Sequence, residues 1–346
     1  MQRTRTARTL VALVCGLLGA AGTTWSYRNN PEWGAHDFGY FWVGGRAVLD
    51  GASPYTAVKN PRWNLPWDPN YKYPMPTAVV AAPLALVPQQ IAGMIFMGSS
   101  IGWLAFALSR YGWWRLGVLA SGPALYAVRA GQWSPFVVAA SLTLGLEWLT
   151  VVKPNLALAL FAARPRWRTA IGAALACVVS LLFLPTWPQE WLSVASLASE
   201  YQRIGFRLAG AATLASVLRW RTEEGRLLFA MSVVPINSWL YDGLPVLLVA
   251  RSPRELAAMA VPSGAVTLTF ILQFNALGFD HELGLGSLFA RYIMILTVFL
   301  PATVVVLRRP NVGRVPSSVE RVARWLPLWL RGTANAQDPS SAARAT

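Results

Sequence analysis

Asp37 stands in the run His36-Asp37-Phe38-Gly39-Tyr40-Phe41-Trp42, near the head of a polar, aromatic segment covering residues 27–75. A carboxylate held there can take the proton of an attacking hydroxyl group. The same segment carries cations that can steady a departing phosphate, namely Arg46, Lys59, Arg62 and Lys72. It also carries Tyr40, Trp42, Tyr55, Trp63, Trp67, Tyr71 and Tyr73, whose rings can wall a sugar. Base, cations and aromatic walls together suit sugar transfer from a lipid-phosphate donor. Lys72, at the start of the next apolar run, is the leading candidate for the phosphate contact, with interfacial snorkelling as the structural alternative.

Two positions outside this segment could also carry chemistry. Lys153 lies within an apolar run, in Lys153-Pro154-Asn155, and a cation at membrane depth is a functional candidate by default. Pairing with Glu147 is its structural alternative. Gln132 and Arg129 lie at the outer turn Gly131-Gln132-Trp133-Ser134-Pro135 and are weaker candidates. His36 and His281 are the only histidines, which excludes a histidine-rich metal centre. No cofactor is expected; a divalent cation held by Asp280, His281 and Glu282 with Asp37 is the alternative. Cys15 and Cys177 sit in apolar runs and read as small apolar side chains.

These residues need elements to hold them, and the composition says of what kind. Hydrophobic residues make up 55% of the 346 and charged residues only 13%, with a mean hydropathy of +0.41. That is too apolar for an ordinary soluble globule. The net charge is +15, but the arginines fall at the ends of apolar runs: Arg3, Arg5 and Arg8; Arg110 and Arg115; Arg164, Arg166 and Arg168; Arg251 and Arg254; Arg308 and Arg309. This is a positive-inside pattern, and it argues against nucleic acid as a partner. Seventeen Trp and ten Tyr fit two membrane interfaces.

The basic N-terminus and the apolar run from Thr9 to Ala21 imitate a signal peptide; with many spans following, an uncleaved first helix over 9–26 with a cytoplasmic N-terminus is expected. Residues 27–75 are then a first periplasmic loop, with an amphipathic interfacial helix over 38–50. Residues 76–109 form a crossing broken by Pro83 and Pro88. Residues 116–130 rise, and 136–163 return with an interruption at Lys153-Pro154. After 169–186 comes a second periplasmic segment, 187–210. Residues 211–250 read either as two short helices around a cytoplasmic Arg219–Arg226 or as one helix over 227–248. Residues 255–276 and 285–307 complete a transmembrane domain of residues 1–310. The tail 311–346 is cytoplasmic, basic and interfacial over 317–331. The expected fold is an all-α polytopic membrane protein with about 8–10 transmembrane helices. Irregular backbone at the prolines hints at a polar cavity, because bilayers tolerate it only against protein or water.

The order Asp37-Phe-Gly-Tyr40, then Gly51-Ala-Ser-Pro54-Tyr55, then Tyr73-Pro-Met-Pro76 and Pro83-Leu84 resembles glycosyltransferase family 87. Gly131-Gln132, Lys153-Pro154 and Pro235-Ile-Asn-Ser-Trp239 resemble later points of that family, so the likeness covers most of residues 30–250. Met75 interrupts the family's double proline, and Tyr241-Asp242 stands where histidine is frequent. The resemblance implies a type C glycosyltransferase bundle in a bacterial inner membrane. It implies a polyprenyl-phosphate sugar donor, with mannose or another sugar transferred, by inversion, to a lipid or glycan acceptor at the periplasmic face. It implies Asp37 as general base, with Lys72, Arg46, Tyr40, Tyr55, Tyr73, Gln132, Lys153, Trp239 and Asp242 around the substrates. A transporter or flippase of a lipid-linked sugar is the alternative; such proteins tend to show internal repeats, and none is visible here.

Overall fold

The computed structural model describes the chain except residues 1, 30–34, 64, 66–69, 196–200, 238–239, 278–291, 314, 316–319, 322–324, 326 and 334–346. The described chain is mostly helical. Among its described residues, three helices are long and apolar enough to cross a membrane, over Arg5–Asn29, Gln89–Tyr111 and Pro253–Gln273.

The first of these lies in α1, Gln2–Asn29. After it come α2 (His36–Leu49), α3 (Pro54–Ala57), α4 (Met75–Ala81) and α5 (Gln89–Leu108). Helices α1 and α5 run antiparallel. Arg8 donates to the Phe106 carbonyl at 3.0 Å and to Ser109 Oγ at 3.1 Å, while Tyr27 meets Gly93 at the other end. The seam is made of small residues: a Cβ on Gly16 would fall 2.8 Å from the Gly98 carbonyl, and one on Gly102 3.0 Å from that of Ala12. Such stripes let helix backbones approach closely where lipid competes with side-chain packing.

Beyond α5 the elements shorten to α6 (Gly122–Ala130), α7 (Ser134–Ser141) and α8 (Pro154–Ala163). Proline lies in the first turn of α4, α6, α7 and α8, where its missing N–H costs nothing. These proline positions therefore become helix starts; the expected crossing over 116–130 is cut into a 3-10 segment and α6, and that over 136–163 into α7, a 3-10 segment and α8. Then follow α9 (Trp167–Ser180), α10 (Trp187–Ala195), α11 (Glu223–Val233) and α12 (Pro253–Leu277). Residues 208–219 and 240–249 are 3-10 helix, so two short helices flank Arg219–Arg226 and no single helix spans 227–248. The chain is not purely helical: β1 (Tyr201–Gln202) pairs antiparallel with β2 (Ile236–Asn237).

Helix α2 corrects the expectation of an interfacial helix over 38–50. Phe38, Phe41, Val43 and Ala47 are all buried, and both sides of the helix meet protein. Gly44 and Gly45 permit this, since a Cβ on the first would strike the Tyr71 ring at 2.6 Å and one on the second the Ala81 backbone at 2.8 Å. By contrast, Leu10, Leu13, Leu17 and Leu18 on α1 and Leu175, Val178 and Leu182 on and just past α9 are exposed. So wide an apolar surface suits contact with lipid.

The arginine-bearing turns gather with one another. Arg164 pairs with Glu223 at 2.6 Å, Arg251 with Glu224 at 2.6 Å, and Arg309 with Glu255 at 2.7 Å. Of the tail helix expected over 317–331, the described parts include a helical turn at Leu328–Arg331. The tail docks on the same cluster: Arg221 holds Glu320 through two bonds, at 3.0 and 2.8 Å, and Trp220 Nε1 donates to the Leu330 carbonyl at 2.8 Å.

Candidate functional site

Asp37 occupies the first turn of α2. Its position is set where α6 ends. Gly131 closes α6 in a left-handed conformation, φ +72°, and a Cβ there would lie 2.7 Å from Phe38 Cβ. Ala35, also left-handed at φ 45°, donates its N–H to the Arg129 carbonyl at 3.0 Å. The start of α2 is thus tied to the end of α6. An aromatic core fixes the same corner from beneath, with Trp133 against Phe96 at 4.7 Å, Phe41 at 5.3 Å and Phe136 at 5.0 Å between ring centroids.

The residue after Gly131 is Gln132, and it joins two carboxylates through a lysine. Gln132 Nε2 donates to Asp37 Oδ2 and, at 3.3 Å, to the Tyr73 hydroxyl. Gln132 Oε1 accepts from Lys153 Nζ at 3.0 Å and from the Trp133 N–H at 3.2 Å. Lys153 Nζ lies 2.5 Å from Asp242 Oδ1 and 4.6 Å from the centre of the Tyr241 ring. Asp242 Oδ2 accepts from the Asn237 N–H at 2.8 Å and from Asn155 Nδ2 at 3.3 Å, and Oδ1 accepts from Ser134 Oγ at 3.5 Å. Polarity dictates the amide's orientation: a lysine only donates and a carboxylate only accepts, so the oxygen faces Lys153 and the nitrogen faces Asp37.

Burial grades along this chain. Asp242 is fully enclosed, Lys153 is 2% exposed and Asp37 is 18% exposed. Only the Asp37 end is open to a ligand. His36 Nε2 lies 3.4 Å from Asp37 Oδ1. Lys153 and Asp242 satisfy each other inside the protein and act on Gln132. Helix α8 begins just after Lys153 and ends beside Arg164, a rise of about 15 Å over its length. Lys153 and Arg164 therefore stand at opposite ends of α8.

The other expected site residues fall in different places. Tyr73 belongs to the chain, and its ring meets Phe41 edge to face at 4.7 Å. Tyr55 is buried, donates to the Tyr73 carbonyl at 3.1 Å, and has its hydroxyl pKa raised by burial and by nearby Glu190. Tyr40 is buried in the same aromatic layer. Arg46 pairs with Asp50 at 3.1 Å, about 13 Å along α2 from Asp37. Lys72 is half-buried, and its carbonyl accepts from Trp191 Nε1 at 3.1 Å. Trp67, Trp239, Asp280, His281 and Glu282 lie outside the described residues. Among the described residues no group of three His, Cys, Asp or Glu could hold a metal ion.

One expected alternative fails. Glu147 does not pair with Lys153; it accepts from the Gly145 N–H at 2.7 Å and pairs with Arg166 at 2.5 Å, in the arginine cluster. Sequence reasoning also missed Asn155, Asn237 and Ser134 as supports of Asp242. A signal existed, since an acid and a base each embedded in apolar runs are stable mainly as partners. No known protein family, curated protein or solved structure matches the chain.

Proposed function

We propose that this chain is a membrane-embedded glycosyltransferase of the type C kind, with about 8–10 spans. It moves a hexose, with mannose the first candidate, from a polyprenyl-phosphate donor to a lipid or glycan acceptor. The reaction takes place at the periplasmic face of a bacterial inner membrane, with inversion. The supporting observation is the buried chain Asp242–Lys153–Gln132, which ends on the partly open carboxylate of Asp37, remote from the arginine cluster.

In this reading Asp37 takes the acceptor's hydroxyl proton. The acceptor oxygen then bonds to the anomeric carbon as that carbon's bond to the phosphate oxygen breaks, and the lipid phosphate leaves with the electron pair. A carboxylate used this way must hold one rotamer, and the Gln132 amide supplies the fixed donor behind it. Lys72 is the cation assigned to the leaving phosphate.

The test uses purified protein in lipid nanodiscs with radiolabelled polyprenyl-phosphate mannose and other donor sugars, together with a bacterial lipid extract. Wild type forms a labelled product, and Asp37→Asn lowers turnover by about 10²–10⁴-fold. Equal turnover by both proteins rejects Asp37 as the base. One observation favours a second reading, a flippase of a lipid-linked sugar: Lys153 and Asp242 form a buried ion pair, the kind of pair that transporters keep within the membrane. Transfer of a labelled lipid-linked sugar across vesicles without a covalent product would select it.

A further inference from the structure

The arginine cluster encloses a cavity of about 110 Å³, unconnected with the role proposed for Asp37. At about 10–15 Å³ per water by this measure, it has room for roughly eight water-sized groups. Its floor is apolar, built by Leu142, Leu160 and Leu227, and its rim is charged, with Arg115, Arg164, Arg166, Glu147, Glu223 and Glu224.

The rim charges are equal in number, but one carboxylate pairs outside the rim. Glu147 is taken by Arg166 and Glu223 by Arg164. Glu224 is taken by Arg251 at 2.6 Å and approached by Arg309 at 3.5 Å. Every rim carboxylate thus has its arginine, and Arg115 is left without one. Its Nε is buried with no hydrogen-bond partner among the described residues. Its guanidinium rests on the Trp114 ring at 4.6 Å and near Tyr111 at 5.9 Å. Burial and the nearby Arg164 lower its pKa, outweighing the upward pull of Glu224. A buried guanidinium N–H with no acceptor costs free energy that a bound anion would recover.

We propose that this cavity binds a phosphate-bearing anion, with Arg115 as its main contact. The apolar floor beneath a rim whose one unpaired charge among the described residues is Arg115, at an end where arginines mark a membrane face, favours the head group of an anionic phospholipid as the source.

The experiment follows unfolding by tryptophan fluorescence in nanodiscs of neutral phosphatidylcholine. Phosphatidylglycerol is titrated into the bilayer in one arm, and glycerol 3-phosphate is added to the buffer in the other. A saturable rise in melting temperature is expected for wild type. Arg115→Gln should abolish the rise, as should Thr169→Phe, which fills the cavity from α9 without changing charge. Arg254→Gln removes an exposed arginine from the same end and should retain it. A response to lipid alone identifies the head group; a response to the soluble anion alone keeps the site and changes its source. The proposal is overturned if wild type responds to neither, if Arg254→Gln loses the response, or if Thr169→Phe keeps it. Because Thr169→Phe leaves Arg115 in place, the test survives a failure of Arg115→Gln to fold.

Discussion

Lys153 and Asp242 form an ion pair at 2.5 Å in which neither side chain meets solvent appreciably. Each is the other's reason for being tolerated inside an apolar bundle. Burying either charge alone costs several kcal/mol, and removing one partner of such a pair typically costs about 3–5 kcal/mol, whereas replacing both with apolar residues of similar size is often neutral. Lys153→Met and Asp242→Leu should therefore each lower the melting temperature sharply, and the double variant should recover most of the loss. Unfolding of all four proteins in one detergent checks this. Additive losses would mean that the pair does not couple energetically.

Gly131 is expected to tolerate no side chain. Its φ of +72° costs an L-residue about 1–2 kcal/mol, and a new Cβ would also press on Phe38 at 2.7 Å. Gly131→Ala should lower stability and, by shifting the start of α2 against Gln132, lower transfer activity as well. Phe38→Ala within the Gly131→Ala background should recover little, because the backbone strain persists. Melting curves and turnover of the three proteins decide the matter.

Different parts of this arrangement were legible in the sequence to different degrees. The prolines were legible as breaks in long apolar runs; those of α4, α6, α7 and α8 lie in first turns, where a residue lacking an N–H fits, whereas Pro262 lies inside α12. The arginines announced one end of the molecule. Helix α2 was expected, but its burial was not, since the partners of Gly44 and Gly45 are Tyr71 and the α4 backbone, which only the fold brings near. Lys153 was singled out as an intramembrane cation, yet the nearest acid along the chain, Glu147, proved the wrong partner. Pairing across distant helices is set by packing, and a single sequence holds no record of it. The aromatic residues of the first loop read as sugar walls or as interface anchors; Tyr40, Tyr55 and Tyr71 are buried in one cluster, a packing gain that large rings make available and that their order in the chain does not reveal.

The arginine cluster carries a pH dependence. Burial would raise the Glu224 pKa, but hydrogen bonds from Arg251 and the α11 backbone, with Arg309 nearby, bring it below its ordinary 4.5. The unfolded chain then binds this proton more readily than the folded one. The stabilisation is fully present above the ordinary carboxylate range and disappears as pH falls through the lowered value. Wild type should lose melting temperature as pH falls below 4.5, the ordinary carboxylate value. Glu224→Gln should start lower at pH 7 and lose less over the same interval. Parallel slopes for the two proteins would exclude Glu224 as a contributor.

Gln132 is where structure and proposed chemistry meet, and its two halves can be separated. Its nitrogen serves Asp37 and its oxygen serves Lys153. Gln132→Leu removes both bonds at nearly constant volume and leaves Lys153 short of an acceptor, so it should destabilise the protein as well as slow it. Gln132→Glu keeps an acceptor for Lys153 but sets a second carboxylate against Asp37, removing the donor that fixes the base. If orientation of Asp37 is what Gln132 supplies, Gln132→Glu should lower kcat by roughly 10²-fold. Its melting temperature should stay closer to wild type than that of Gln132→Leu. KM should change little, because the amide is buried and acts through Asp37. Steady-state kinetics in nanodiscs, read beside melting curves of the same preparations, make the comparison. A Gln132→Glu protein that turns over like wild type would show that Asp37 needs no donor behind it, and that the buried chain serves stability alone.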